Sequence, residues 1–401
     1  MHFVTPCRCF PGRPSLLAMA VCLLPLLLPT AGSAEENAST RPLLRELDIE
    51  IGTLEPGETN TLVDVPGVAV GHCSVVEDFA DGSALRTGVT AILPHGQNIF
   101  LHKVPAAVHV ANGFGKFVGS TQVNELGVLE TPILLTNTLS TFAVADALVG
   151  WTLQQPGCEL VRSVNPVVGE CNDGYLNDIR RRGVTSEHVL AAINNANSDA
   201  VQQGCVGAGV GTRCMGFKGG IGSSSRKLPD SLGGYRVGVL VQTNFGGSLS
   251  VDGAPIGERL GNYYLQDHVV KQEHGSCIVV VATNAPLDAR QLARLARRGP
   301  LGLAAAGSSI SHGSGDYVLA FSTAEALRTS YESDQATETK PTLRDDRLSP
   351  LFQATKDATC EAVINSLLQA TTTTGHQGRV TEAIDPAEFM RAYGAGKTGR
   401  P

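Results

Sequence analysis

Five short runs rich in β-branched and other apolar residues recur along this chain, and segments with helical spacing lie between them. Such runs predict buried strands. They are TLVDVPGVAVGHCSV (61–75), TGVTAILP (87–94), YRVGVLVQTN (235–244), SCIVVVATN (276–284) and DYVLAFST (316–323). Strands and helices are about equally common but follow no regular alternation. We therefore predict an α/β protein of stacked sheet and helix layers rather than a doubly wound sheet.

Four segments have the spacing of helices. The first, 140–155, places Val144, Ala147, Leu148 and Trp151 on one face, and the second, 186–196, opens on Ser186. The other two are 287–298 and 358–372. Two further segments, 248–275 and 333–350, lack periodicity, and we expect both to be surface loops.

The first 34 residues have the pattern of a secretory signal peptide. Arg8 and Arg13 precede an apolar run over 16–28, and small residues lead to Ala34. The run is too short for a membrane span and contains a proline, so an uncleaved anchor is the less favoured alternative. We expect a secreted or periplasmic protein whose residues 35–401 form a single domain.

The mature chain is acidic and lacks the patterns of metal sites. Two of the 31 Lys and Arg residues lie in the signal, so 29 basic residues face 38 acidic ones, which argues against nucleic acid and anionic membranes as partners. The ten histidines show no HExxH or comparable spacing, so we expect neither a metal nor another cofactor.

The cysteines that follow the signal peptide are odd in number. We expect one or two disulfides of open connectivity and at least one free thiol, as an oxidising compartment permits. The seven residues are Cys73, Cys158, Cys171, Cys205, Cys214, Cys277 and Cys360.

A Gly-Ser pair, Gly275-Ser276, ends the segment 248–275 and opens an apolar strand. By itself this pair is typical of a turn glycine before a strand. The same position would also hold a serine hydroxyl at the edge of a rigid sheet, which suits a nucleophile.

Seven blocks of the sequence, in this order, carry further information. They are DVPGVAVGH (64–72), TGVTAILP (87–94), GECNDGYLND (169–178), GAGVGTRCMGFKGGIGSSSR (207–226), VQTNFGG (241–247), HGSCIVVVATNAPL (274–287) and SHGSGDYVLAFSTA (311–324). In these blocks the chain resembles the DmpA family, the L-aminopeptidase/D-esterase and β-peptidyl aminopeptidase group of self-processing N-terminal nucleophile hydrolases.

This resemblance implies a four-layer αββα sandwich, a homotetramer, and a precursor that cuts itself between Gly275 and Ser276. The products would be an α segment, 35–275, and a β segment, 276–401. Ser276 would then supply both the nucleophilic hydroxyl and, through its free amino group with a pKa of about 7.7 to 8.0, the general base. The substrate would be a peptide, aminoacyl amide or ester with a free amino group.

The resemblance also assigns supporting residues. Asn244 would stabilise the oxyanion, Tyr175 would face the nucleophile, and Ser314 and Asp316 would be partners of Ser276. Without the resemblance, each of the four also fits an ordinary turn or a half-buried position.

The substrate's ammonium group needs an acidic partner, and the block GECNDGY offers Glu170 or Asp173. We prefer Glu170, although a solvated loop carboxylate would give the same pattern.

Near these blocks the sequence departs from the family pattern at Asn284 and Cys277. Asn284 stands where the family pattern has an acid and could alter pocket electrostatics or subunit contacts, and Cys277 should point away from Ser276 by strand alternation. The glycine-rich stretch 207–222 contains no Gly-Lys-Ser/Thr motif of a phosphate-binding loop and no clear helix follows it, so we interpret its glycines as sites of close backbone approach.

Aminopeptidase activity is the favoured function. The alternatives are another self-processing amidase or acyltransferase of the ornithine acetyltransferase type, which would use threonine rather than Ser276, and a catalytically silent secreted binding protein.

Overall fold

The computed structural model of the protein describes residues 41–266 and 274–395. The predicted signal peptide, 1–34, lies outside the described residues, as do 267–273 just before the Gly-Ser pair. No helix in the described ranges is long and apolar enough to cross a membrane.

The described residues form sixteen strands and eight α-helices. The strands are β1 Ala69–Asp78, β2 Ala84–Leu93, β3 His102–Gly113, β4 Phe117–Val118, β5 Val128–Leu129, β6 Ile133–Asn137, β7 Val167–Cys171, β8 Arg213–Cys214, β9 Phe217–Lys218, β10 Ile221–Lys227, β11 Arg236–Asn244, β12 His274–Thr283, β13 Gly313–Ser322, β14 Thr329–Ser330, β15 Thr373–Thr374 and β16 Val380–Thr381. The helices are α1 Ser120–Leu126, α2 Thr141–Leu153, α3 Ser186–Asn194, α4 Ile256–Arg259, α5 Ala289–Ala296, α6 Gly299–Ala306, α7 Ser349–Leu368 and α8 Pro386–Gly394.

Two sheets form the centre of the fold. The first has the strand order β1-β2-β6-β7-β4, and the second has the order β10-β11-β12-β13-β3-β14 with β5 also paired to β3. Pairing is antiparallel except for β6 with β7 and β12 with β13. The parallel pair β12 and β13 needs a crossover, which α5 and α6 supply.

Three apolar clusters hold the layers together. One fills the space between the two sheets, a second joins the first sheet to α2 and α3, and the third joins the second sheet to α5, α6 and α7. Because each sheet buries both faces, its central strands are apolar on both sides. The order of layers is helix, sheet, sheet, helix, which confirms the predicted αββα sandwich.

Strand β12 shows how the pattern of residues positions the site. Ile278 and Val280 contribute to the core between the sheets, whereas Cys277 and Val279 contribute to the core beneath the helices. Alternation therefore places Ser276 on the face between the sheets and confirms that Cys277 points to the other face.

Most predicted elements are present, with shifted ends. The segment 61–75 is only partly a strand, since a 3₁₀ turn covers Leu62–Asp64 and β1 begins at Ala69. The helix expected at 358–372 is α7, which starts nine residues earlier at Ser349. It therefore includes the last residues of the predicted loop 333–350. Its first turn contains a proline, a residue that suits a helix start.

The segment 248–275 is not simply a surface loop. Its described part contains α4, and Leu249, Val251 and Ile256 are buried in the core beneath the helices. These three apolar residues have no regular spacing, so the pattern did not reveal their burial.

The expected disulfides are absent. All seven cysteines after residue 34 are free thiols, so the expectation of one or two bridges is wrong for these residues. Cys171 and Cys277 show the reason, since the first faces the core between the sheets and the second the core beneath the helices.

Glycines in the stretch 207–222 allow the chain to approach neighbouring backbone, as predicted. A Cβ on Gly211 would lie 2.0 Å from the carbonyl oxygen of Arg86, and one on Gly220 would lie 2.1 Å from that of Gly204. No side chain larger than hydrogen fits at either position.

Candidate active site

Ser276 and Asn244 are direct partners at one end of the second sheet. They face each other in the antiparallel register of β11 and β12, and the Asn244 side-chain nitrogen Nδ2 donates to Ser276 Oγ over 3.2 Å. Both are buried, Ser276 to 3% exposure. The structure therefore brings the predicted nucleophile and the predicted oxyanion donor together.

The Asn244 amide is held on its other side as well. Its Oδ1 accepts a hydrogen bond from the backbone N–H of Arg213 at 3.2 Å. With both ends bonded, the amide presents its N–H₂ group toward Ser276, an orientation that a donor to an oxyanion requires.

The Gly275–Ser276 peptide, where the cut is predicted, lies inside β12 rather than before it, since the strand begins at His274. In the parallel register with β13, Gly275 pairs with Ser314 and Ser276 pairs with Gly315. A Cβ on Gly275 would come within 3.1 Å of Ser314 Oγ and 3.3 Å of the Cα of Phe245. Position 275 therefore has little space for any residue other than glycine.

Ser314 lies beside Gly275 and Asp316 beside Cys277, rather than against the Ser276 hydroxyl. In the register of β12 and β13, Ser314 pairs with Gly275 and Asp316 with Cys277. Neither side chain makes a hydrogen bond with Ser276 in the described ranges, and Ser314 Oγ and both carboxylate oxygens of Asp316 are buried without a partner. Burial raises the pKa of Asp316 to about 6, against an opposing effect of the Ser314 hydroxyl.

Tyr175 is connected to the nucleophile only indirectly. Its ring is 41% exposed, and the Arg213 guanidinium stacks over it at 3.9 Å from the ring centre. The hydroxyl donates no hydrogen bond to Ser276 within the described part of the chain, so the connection runs through Arg213 and Asn244.

Glu170 is a buried strand residue, not a solvated loop carboxylate. Its Oε1 accepts a hydrogen bond from the Lys116 backbone N–H at 3.0 Å and lies 3.7 Å from the Lys116 ammonium. Its Oε2 accepts a hydrogen bond from the Thr138 hydroxyl. A substrate ammonium reaching Glu170 would meet a carboxylate that already has these donors.

A close contact between the sheets brings β7 over β12. A Cβ on Gly169 would touch the side chain of Ile278 at 3.1 Å, so glycine lets the two strands pack closely. Cys171, two residues along β7, lies beside Ser276, and burial raises its pKa well above the usual value while the Ser276 hydroxyl opposes this. Its thiol therefore stays protonated and apolar next to the nucleophile.

The other acid of this block, Asp173, is also buried. Its Oδ1 accepts from Asn177 at 2.9 Å, its Oδ2 has no partner, and burial raises its pKa to about 7.

Asn284 lies at the far end of β12 from Ser276, about 26 Å along an extended strand. Its side chain accepts from the Arg236 N–H, so the expected effect on the pocket is not supported.

Sequence reasoning missed Arg213, Cys171, Lys116 and Thr138. The one available signal was Arg213, one of two charged side chains, with Lys218, within the glycine-rich block 207–222. The others became part of the site only when the two sheets packed together. No group of three or more possible metal ligands occurs among the described residues.

Comparison with known proteins identifies the family of the chain. The model of the family "Peptidase family S58" matches residues 60–381. The chain belongs to peptidase family S58. It is 40% identical over 384 residues to a β-peptidyl aminopeptidase BapA of Sphingosinicella microcystinivorans, covering 91% of this chain and 93% of the relative.

Solved structures resemble this S58 peptidase over most of its length. A Burkholderia sp. β-aminopeptidase has a TM-score of 0.81 and 39% identity, covering 90% of this chain and all of that one. The L-aminopeptidase D-Ala-esterase/amidase of Ochrobactrum anthropi, described as a prototype serine aminopeptidase and a variant of the Ntn hydrolase fold, has a TM-score of 0.81 and 34% identity. The match covers 88% of this chain and 99% of the Ochrobactrum anthropi chain.

These likenesses confirm the predicted family and fold. This S58 peptidase is a serine aminopeptidase with the N-terminal nucleophile hydrolase fold. The acetyltransferase-like and silent-binding alternatives are not supported.

Proposed function

We propose that this aminopeptidase becomes active by cutting its own chain between Gly275 and Ser276. The observation that carries the proposal is the Asn244–Ser276 contact of 3.2 Å at the end of β12, directly beside a glycine with little space for a side chain. Attack of Ser276 Oγ on the Gly275 carbonyl carbon forms an ester as the C–N bond breaks, and water then hydrolyses the ester.

The freed amino group of Ser276 then acts as the general base of peptide hydrolysis. With a reference pKa of about 7.7 to 8.0, it is partly neutral near pH 7 and accepts the proton of its own hydroxyl. The hydroxyl oxygen attacks the substrate carbonyl, and the substrate C–N bond breaks as the proton passes to the leaving amine. Water then hydrolyses the acyl-enzyme ester and frees Ser276. Asn244 Nδ2 donates to the oxyanion that forms.

Ser314 and Asp316 gain a role in the cut form. Their buried oxygens lack partners in the continuous chain, and the two residues pair with Gly275 and Cys277, which flank Ser276 on either side. A buried acceptor without a partner is unfavourable, and an ammonium group would satisfy it. We assign Asp316 the stabilisation of the protonated Ser276 amine and Glu170 the binding of the substrate's ammonium group.

The substrates proposed are peptides, aminoacyl amides and esters with a free amino group. Because relatives at 40% and 36% identity are named β-peptidyl aminopeptidases, we include β-aminoacyl residues at the amino end. Rates on L-, D- and β-aminoacyl p-nitroanilides, each with and without N-acetylation, test this range. Equal turnover of the acetylated compounds would contradict recognition of a free amino group.

Export and assembly are also part of the proposal. We infer that residues 1–34 direct the chain out of the cytoplasm and that mature protomers form a tetramer. Sequencing of the mature amino terminus and light scattering of the purified protein test these two points.

The decisive experiment compares the wild-type chain with Ser276→Ala by intact mass and amino-terminal sequencing. We expect two wild-type fragments, the smaller beginning Ser-Cys-Ile, and one uncut Ser276→Ala chain. Ser322→Ala is the matched control, because it removes another buried serine hydroxyl of the same sheet, which donates to Ala285. A wild-type protein that stays one chain while hydrolysing aminoacyl amides would rule out the self-cutting mechanism.

A further inference from the structure

Two arginines flank the exposed ring of Tyr175 beside the nucleophile. The Arg213 guanidinium lies 3.9 Å and the Arg379 guanidinium 5.5 Å from the ring centre. Arg379 also donates to the backbone carbonyl of Tyr175 at 3.2 Å. The ring and the carbonyl hold the two cations in place without neutralising them.

Neither arginine has an acidic partner. Among the described residues, no carboxylate lies within ion-pair distance of Arg213 or Arg379, and the buried Nε of Arg213 has no hydrogen-bond partner at all. Arg226 differs in having an acidic partner, since it is fully buried and pairs with Glu361 at 2.6 Å, although its Nε also lacks a hydrogen-bond partner. An arginine with an unused buried donor beside a nucleophile is suited to an anionic part of the substrate.

The two arginines and Glu170 lie on opposite sides of Ser276. Arg213 reaches the site from the β11 side, because its backbone N–H bonds to Asn244. Glu170 lies on the β13 side, since its Oε1 is next to Gly115 and Gly115 is next to Gly315. Negative charge is thus available on one side of the reacting hydroxyl and positive charge on the other.

The spacing fits a short peptide. Neighbouring strands lie about 4.8 Å apart, so charges on either side of the three strands β11 to β13 are separated by on the order of 10 to 15 Å. An extended chain advances about 3.5 Å per residue, so a tripeptide spans about 10 Å. A peptide with its ammonium group toward Glu170 would place its terminal carboxylate near the arginines.

We propose that Arg213 and Arg379 form a binding site for the C-terminal carboxylate of di- and tripeptides, so that the enzyme prefers short peptides with both termini free. The inference rests on the proposed function, because it assumes that Glu170 receives the substrate's amino group. Arg213 and Arg379 determine specificity and take no part in the bond-making steps.

The test compares β-alanyl-leucine with β-alanyl-leucinamide, which differ only in the terminal charge. For the wild type we expect kcat/KM about tenfold higher for the acid, mainly through a lower KM, and a smaller preference at high salt. The variants Arg213→Met and Arg379→Met each reduce this ratio, and the double variant brings it close to one. A ratio that is near one in the wild type, or unchanged in the double variant, would overturn the proposal.

Arg298→Met is the matched control, since Arg298 also stacks on an aromatic ring, that of Phe352, at 3.9 Å but lies among the helices. It should leave the acid-to-amide ratio unchanged. The ratio compares two substrates in the same variant, so a general loss of folding or activity cancels. Failure of the proposed function gives a different result, namely an uncut wild-type chain or equal turnover of N-acetylated substrates.

Discussion

Asn244 is a side-chain amide fixed at both ends, with Arg213 N–H bonded to its oxygen and Ser276 Oγ to its nitrogen. A donor fixed in this way stabilises an oxyanion without reorganising. We expect Asn244→Ala to lower kcat by about 10²- to 10³-fold with little change in KM. Steady-state kinetics on an aminoacyl p-nitroanilide checks this, and a raised KM with unchanged kcat would instead indicate a role in substrate binding.

Asp316 should make the folding stability of the uncut chain depend on pH. Burial raises its folded-state pKa to about 6, above the usual value near 3.8, so the folded chain binds this proton more tightly than the unfolded chain. The resulting stabilisation is complete below about pH 4 and is lost as the pH rises through about 6. Thermal unfolding of Ser276→Ala between pH 4 and 8 should show this loss.

Replacing Asp316 with asparagine in the Ser276→Ala background removes that titration and should flatten the stability profile around pH 6. Asp173, whose pKa burial raises to about 7, titrates in both proteins, so only the difference between the two profiles reports Asp316. Identical profiles would contradict the raised pKa. In the self-cutting background, Asp316→Asn should slow peptide hydrolysis.

Individual residues were predictable from sequence only where a block of the family pattern contained them. Ser276 and Asn244 came together as expected, because each ends or opens an apolar strand and the two strands pair. The sequence did not reveal that Ser314 lies beside Gly275 and Asp316 beside Cys277, since this depends on the register between β12 and β13. Arg213 was overlooked because its role comes from a contact with a distant ring.

At the scale of elements, the pairing of β12 with β13 limits the space around the backbone at the proposed cut site. Gly275→Ala places a methyl group 3.1 Å from Ser314 Oγ and 3.3 Å from the Cα of Phe245, which displaces the Gly275 carbonyl from Ser276 Oγ. We expect self-cutting to slow by about tenfold or more, because such reactions are sensitive to small misplacements. The fraction of cut chain over time, measured by intact mass, checks this.

Gly96→Ala is the control for that substitution. A Cβ at position 96 would meet no atom within 4 Å, so cutting should proceed at the wild-type rate. If Gly275→Ala also cuts at the wild-type rate, the space around position 275 does not limit the reaction.

The elements themselves were largely predictable, and their exceptions have physical causes. Central strands such as β11 and β12 are continuous apolar runs, since both faces are covered. The helix α7 begins well before its predicted start. The prediction missed its first turns because they contain Thr355, Lys356 and Asp357, whose polarity conceals helical spacing. The buried part of 248–266 packs through irregular loops, for which no periodicity exists.

At the scale of the molecule, a buried ionic cluster joins the two segments that self-cutting would create. Glu361, in the later segment, accepts from Arg226 at 2.6 Å, Arg45 at 3.2 Å and Asn60 at 2.6 Å, all in the earlier segment. Glu361→Gln leaves the Arg226 charge buried without its partner. We expect a loss of about 3 to 5 kcal/mol in the free energy of unfolding.

Urea unfolding of Glu361→Gln in the uncut Ser276→Ala background measures that loss. Glu388→Gln is the control, because Glu388 pairs with Arg391 on the exposed surface of α8 and such pairs contribute about 0 to 1 kcal/mol. Equal stability of the two variants would show that the buried cluster does not hold the segments together.

The strand order of the second sheet has one further consequence. Strands β12 and β13, which follow the proposed cut, lie between β11 and β3, which precede it. Ser276 meets Asn244 only when β12 has taken its place in that order, so a misfolded copy would keep its serine amine locked in a peptide bond. The proposed cut would therefore select for correct folding, because only a chain with β12 in place would release the Ser276 amino group.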